Sequence, residues 1–307
     1  MYPYVVYKPF AERKPDGQYK NLLREILKNG VWYDNQMEEA ALTLLGAQLK
    51  YEIANGAPLI TERDIVKPGK NGRSYASQAL GEIIAFVNGA RTQEELESFG
   101  CFWWKNWLTP AKCKKRGLKP GEMGPGSYGA AWTDFPTSSG GFNQINALMT
   151  QIKERPRLRT HVITPWIPQF VFRITGHEQK VVVVPCHGWV NVRINTETGG
   201  LTLIHHQRSA DIPVGFPANM LAYTAFALMV AKITGYTAEK IIFSIDDAHI
   251  YQSQMESVEK MLTMEDQKLP TLTLANERQL ITDFRVQDFE VADYFPTGPR
   301  MIIPTPI

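Results

Sequence analysis

The chain is poor in the features that announce a compartment, a membrane or a nucleic-acid partner. Only three of its 307 residues are cysteine (Cys101, Cys113, Cys186), an odd number with no small-domain disulfide framework. No start-of-chain apolar segment has the form of a signal peptide, so a reducing cytoplasm is the expected setting. No stretch is read as the roughly 20 apolar residues that cross a bilayer, and no membrane contact is expected. Neither sign of charge dominates: 33 Lys and Arg stand against 31 Asp and Glu, a net charge of +2. A protein that coats nucleic acid neutralises many phosphates with Lys and Arg, so this balance argues against that class and leaves small, locally held anions. Repeats, low-complexity tracts and a clear linker are also missing. With 44% hydrophobic and 21% charged residues, one α+β domain over residues 1–307 is the economical expectation.

Periodicity supplies the elements. Helical spacing covers 17–29, 74–88, 92–99, 142–153, 217–233 and 255–262, and strand patterns cover 40–51, 162–163, 169–173, 180–184, 189–194, 202–206, 241–245, 271–274 and 289–293. Lys112 to Lys119, Gly121 to Gly129 and Thr137 to Gly141 read as loops. Glu82 falls inside an apolar helix, and Trp103, Trp104 and Trp107 follow within a short segment that is either core packing or the wall of a pocket for a flat ring.

The chemistry concentrates late in the chain. Pro185-Cys186-His187 ends the valine run 181–184, and Gln207-Arg208-Ser209-Ala210-Asp211 follows about twenty residues on. A thiol reacts as thiolate, and a permanent cation such as Arg208 beside a strand end would lower its pKa. Alone, Cys186 reads more readily as a small buried hydrophobe, and His187 as a hydrogen-bonded core or surface histidine.

Four motifs then occur in order: Pro-Cys-His at 185–187, Gln-Arg-Ser-x-Asp at 207–211, Gly-x-Pro-x-Asn at 215–219 and Asp-Ala-His-Ile-Tyr at 247–251. Together with Gly46-x-Gln48, Gly56-x-Pro58, Glu82, Trp104 and Tyr128-Gly129, they resemble the thymidylate synthase family, which includes the pyrimidine-nucleotide hydroxymethylases. The resemblance covers about two-thirds of the chain. It implies a three-layer fold, a mixed β-sheet flanked by helices, and a homodimer joined sheet to sheet. It also implies transfer of a one-carbon unit from 5,10-methylenetetrahydrofolate to C5 of a pyrimidine deoxynucleoside 5'-monophosphate, with no metal.

Carried over residue by residue, the resemblance makes Cys186 the thiolate that adds to C6 and so turns C5 into a nucleophile. Glu82 becomes the carboxylate that moves protons, Tyr128 a neighbour of the thiol, and His187 a pocket residue. Arg208, Ser209 and Gln207 belong to the nucleotide side, Arg159 to the phosphate of the neighbouring subunit, and His249 and Tyr251 to the 3'-hydroxyl. Asn219 reads the pyrimidine edge, where an amide favours uracil and aspartate would favour cytosine. Trp104, Asp211 and Gly215 face the folate.

The chain also departs from the family pattern. The phosphate loop with its arginine reads Gln36-Met37-Glu38-Glu39-Ala40-Ala41, Thr160 replaces the second inter-subunit arginine, and Lys50, Arg63 or Arg73 could compensate. Asp246 stands where glycine is usual, and the tail 301–307 differs from the segment that closes over folate. An altered lid would admit water, so 5-hydroxymethyl-dUMP is the expected product, as in phage enzymes within an infected cytoplasm. Thymidylate synthesis and a cytosine-directed enzyme remain the alternatives. Two other classes compete: a metal hydrolase using Cys186, His187, His205, His206 and His249, although these lack ligand spacing, and a silent nucleotide- or RNA-binding dimer, which would need no thiolate.

Overall fold

A computed structural model describes residues 2–35 and 39–306. Its centre is a seven-stranded mixed sheet built from β1 (Val31–Tyr33), β2 (Ala41–Glu52), β3 (Val162–Ile163), β4 (Trp189–Asn195), β5 (Gly200–Gln207), β6 (Ala210–Asp211) and β7 (Thr237–Tyr251). The order is β1-β2-β7-β5-β4-β3, with β6 continuing beside β7. The β7–β5 and β7–β6 pairs are parallel and the others antiparallel. Parallel strands need a long crossover. Between β6 and β7 that crossover is the helix Gly215–Thr234, which stops where Gly235 adopts φ 81° and donates its N–H to Ala231 O.

Four of the helices position the site: Tyr75–Val87, Tyr128–Thr133, Gln144–Glu154 and Gly215–Thr234, here α1 to α4. Helix α1 starts at a reciprocal cap between Ser74 and Ser77. Residues 76 and 79–87 of α1 are all buried, Glu82 among them. Helix α4 is apolar around its circumference and buried from Phe216 to Ala231, as a helix must be when it lies between a sheet and another helical layer. This corrects one expectation: α4 is long and apolar enough to cross a membrane, with a mean hydropathy of 1.3 over an 18-residue window, but 89% of that window is buried within the protein.

Two expected strands are not strands. Pro168–Val171 is a single helical turn, and 181–184 is irregular, with Val182 N–H bonded to Met123 O. Pro168 explains the first, because it suits a first helical position and supplies no donor to a ladder. The valine run mimics a buried strand in composition, yet it forms the loop that delivers Cys186. Two of the segments read as loops carry structure: Pro110–Lys114 is a short helix, and 135–137 pairs with 140–142 as a hairpin. Half of the altered phosphate loop, 36–38, lies outside the described residues, as does residue 307.

Candidate functional site

The loop 184–188 sits at the C-terminal end of β5, and Arg208 just beyond that strand holds it. Arg208 Nε donates to Pro185 O at 2.7 Å, while Nη2 donates to Val184 O at 3.0 Å and approaches Cys186 Sγ at 3.3 Å. The backbones close the same link, with Arg208 N–H on Cys186 O at 2.9 Å. A rigid fork can place several donors at once where lysine cannot. Cys186 is partly buried, and its thiol pKa is raised by burial, with Arg208 opposing the rise and Asp247 adding to it. The expectation of a lowered pKa is therefore corrected: desolvation outweighs the cation, and the resting group is a thiol.

Behind the thiol is an aromatic wall. Tyr128 Oη accepts Cys186 N–H at 2.8 Å, and the Tyr128 ring stacks on Phe86 at 4.6 Å and on His187 at 4.5 Å. His187 Nδ1 meets Tyr223 Oη at 2.7 Å, and burial with Arg208 lowers the His187 pKa to about 3, so the ring is neutral at any working pH. Tyr128 is pushed well above the ordinary phenol value by burial.

Glu82 is 6% exposed. Oε1 accepts both indole N–H groups, from Trp103 at 2.8 Å and from Trp104 at 2.5 Å, and burial lifts its pKa to about 7 against the pull of those two donors. Sequence reasoning singled out Trp104 but missed the partnership of Trp103, whose signal was the adjacent pair itself. Asp211 accepts Val214 N–H at 3.0 Å and Gln254 Nε2 at 2.9 Å, with its pKa raised by burial. The same Gln254 Nε2 donates to Pro304 O at 2.9 Å, so the tail lies against Asp211.

The nucleotide-side candidates fall into two groups. Asn219 is 5% exposed on the first turns of α4, its amide bonds no described residue, and neither amide atom is sealed from solvent. His249 pairs with Asp247 at 2.8 Å and lies 5.0 Å from the Tyr251 ring; both sit at the end of β7, beside Asp211 of β6 and Thr43 of β2. Tyr251 is raised above its ordinary pKa by burial and Asp211. Gln207 Nε2 bonds Ser209 O at 3.1 Å, leaving Gln207 Oε1 buried without a partner, and Ser209 is partly buried. Arg159 stands apart, exposed on the segment before β3 and without any ion pair or hydrogen bond to the described residues. The possible phosphate substitutes are engaged elsewhere: Lys50 is exposed on the outward sheet face, Arg73 covers the Phe102 ring at 3.4 Å, and Arg63 donates to Pro213 O and lies over Tyr75.

The chemistry of the residues beside this cluster suits a folate. Arg63 Nε is buried and unpartnered, Gly215 leaves open the space a side chain would fill, with only Asp211 Cβ near at 3.9 Å, and Tyr75 with Trp103 forms an aromatic wall at 5.3 Å. Among the described residues no group of three or more His, Cys, Asp or Glu is placed to hold a metal ion.

A thiol beside a guanidinium, a buried carboxylate held by two indoles and an unspent amide on a helix are groups that a one-carbon transferase can use. The thymidylate synthase family model matches residues 17–303, and the chain belongs to that family, whose members transfer one-carbon units to dUMP with methylenetetrahydrofolate as cosubstrate. It is 28% identical over 297 residues to the thymidylate synthase of Malacoplasma penetrans (strain HF-2), covering 90% of this chain and 95% of that one. It is 27% identical over 292 residues to the bifunctional dihydrofolate reductase-thymidylate synthase of Leishmania major, covering 91% of this chain and 53% of that longer protein.

Proposed function

We propose that Cys186 adds to C6 of dUMP and that the product is the methylated nucleotide, thymidylate. The thiol gives up its proton, Sγ bonds to C6, and C5 becomes electron-rich enough to take the carbon. Bound methylenetetrahydrofolate supplies that carbon and, for a methyl product, a hydride. Arg208 keeps Sγ oriented and favours its thiolate form; Glu82, poised near neutral pH, holds and returns protons. Asn219 offers both a donor and an acceptor to the uracil edge, which supports dUMP over dCMP. His187 stays neutral and acts by shape.

The product depends on whether water reaches the new carbon. The observation that carries the methyl reading is the tail: through Gln254 it is bonded to Asp211, and Ile303 is 9% exposed, so this lid is seated despite its altered sequence. Hydroxymethylation, the product expected from the tail sequence, keeps support from Ile302, which is 94% exposed, so that this tail residue covers nothing.

A homodimer in a cytoplasmic setting completes the reading. The outward sheet face carries Trp189, Ile204 and Ile242, with Leu45 65% exposed, and Asn191 Oδ1 there is sealed without a partner. A second copy on this face would cover these groups and give Arg159 a phosphate to meet.

The test is product mass with dUMP and with dCMP, together with dihydrofolate release. Thymidylate with stoichiometric dihydrofolate is expected; 5-hydroxymethyl-dUMP without it assigns the second reading, and dCMP as the better substrate overturns the uracil assignment. A denaturation-resistant complex with 5-fluoro-dUMP and cosubstrate should form in the wild type and be absent in Cys186→Ser. No complex in folded wild-type protein would favour a silent nucleotide-binding dimer.

A further inference from the structure

We infer that His205, outside the four motifs, is a positioning residue that fixes the backbone on the far side of the nucleophile. The inference rests on Cys186 as the attacking thiol. His205 lies on the core face of β5, opposite Val190 of β4, and is completely buried. Its Nε2 accepts the N–H of Gly188 at 3.2 Å. An imidazole nitrogen that accepts carries no proton, so the neutral ring is protonated at Nδ1. Burial and the neighbouring His187 and His206 keep it neutral by lowering its pKa well below the ordinary value.

Gly188 needs such a hold. It adopts φ 101°, and a side chain there would meet Pro165, Trp132 and Tyr223 at 3.1 to 3.3 Å. The chain therefore makes an unusual turn in a tight space two residues after the thiol. With His205 in place a closed circuit of contacts surrounds Cys186-His187-Gly188. Cys186 N–H bonds Tyr128 Oη, the Tyr128 ring stacks on His187, His187 Nδ1 bonds Tyr223 Oη, and the Tyr223 ring stacks on His205 at 3.7 Å. His205 then takes the Gly188 amide and closes the ring. His205 Nδ1 is itself buried without a partner. A merely packed core position gains nothing from that unsatisfied donor and would be better filled by leucine; accepting from Gly188 is what the imidazole adds.

The test compares His205→Leu, which keeps bulk but cannot accept, with His205→Gln, whose Oε1 can reach the same amide. Displacing a reacting atom by about 1 Å can cost on the order of 100-fold in rate. His205→Leu should therefore lower kcat and the rate of 5-fluoro-dUMP adduct formation on the order of 10- to 100-fold, with the dUMP dissociation constant within about twofold of wild type. His205→Gln should recover most of the loss. A folded His205→Leu with wild-type kcat, or a folded His205→Gln no better than leucine, overturns the inference. Should the leucine variant fail to fold, 15N-histidine spectra of the wild type decide, with His205 assigned by the resonances lost in His205→Gln. A neutral ring protonated at Nδ1 is expected across pH 5 to 8 (about one pH unit or more either side of an ordinary histidine), and an Nε2-protonated or titrating ring refutes the tie. If wild type forms no adduct at all, the role of Cys186 fails, and the same spectra still decide the His205–Gly188 bond.

Discussion

Replacing Glu82 by glutamine should stabilise the protein at alkaline pH while nearly abolishing turnover. Burial raises the carboxyl from its ordinary 4.5 to about 7. The sign follows from linkage. Below its ordinary value the group is protonated in both folded and unfolded chains and costs nothing, whereas between the two values the folded chain holds the extra proton and stability falls as pH rises. Above pH 7 the full cost of a buried anion is present. At 1.36 kcal/mol per pH unit that cost is on the order of 3 kcal/mol, and it is an upper limit because glutamine brings its own amide to be satisfied. Both indoles donate to the one oxygen Oε1, and a glutamine carbonyl can accept both, so the partners need not be lost. Urea unfolding of wild type and Glu82→Gln at several pH values should show near equality around pH 4.5, the ordinary value, and a glutamine advantage of about 1–3 kcal/mol at pH 8.5. In the same samples kcat should fall by on the order of 100-fold or more, as for loss of a proton-transfer group. A pH-independent difference, or a glutamine variant less stable throughout, would refute the argument that Glu82 is a carboxylate held against its solvation.

Three further outcomes can be checked. Arg208→Gln removes the cation that opposes burial at Cys186, so alkylation of that thiol by iodoacetamide at about pH 7.5 should slow; an unchanged rate would separate Arg208 from thiol ionisation. Asn219→Asp should shift preference from dUMP toward dCMP by on the order of 10-fold or more in kcat/KM, because the edge presented to the base inverts; unchanged preference would remove Asn219 from base recognition. Gln254→Ala cuts the bond between the tail and Asp211 and should divert product toward 5-hydroxymethyl-dUMP, read as product formed without dihydrofolate; a product ratio equal to wild type would deny the tail its role in excluding water.

Much of this site was legible because its motifs are short and local. Cys186, Arg208 and Asp211 are brought together by one strand, β5, and its neighbours, so that chain order predicts proximity. Glu82 was legible for a different reason: a carboxylate among Leu80, Ile83 and Ile84 needs partners, and the two indoles lie about twenty residues on. The valine run was misread because four β-branched residues look like a buried strand whether or not a neighbouring strand exists, and only the tertiary pairing decides. Tyr223 gave no signal, and His205 entered only as a member of the rival metal-ligand set. Each reads as a core residue on a periodic element, and their relation to Cys186 exists only through stacking across a strand and a helix.

The titration shifts bear on how the proposed attack by Cys186 would begin. Six groups of the site are pushed toward their neutral forms: the thiol, Asp211, Tyr128 and Tyr251 upward, His187 down to about 3, and Glu82 up to about 7. Burial is the largest cause in each case. A thiol in such a place waits, and attack requires that its proton leave at the moment a base is present. His187 is too weak a base to take it, and the phenols are too weak as acids to return one near neutrality. Glu82, with its pKa near 7, changes state in that range. The rate of adduct formation should therefore show an inflection near pH 7 that persists in Tyr251→Phe and vanishes in Glu82→Gln.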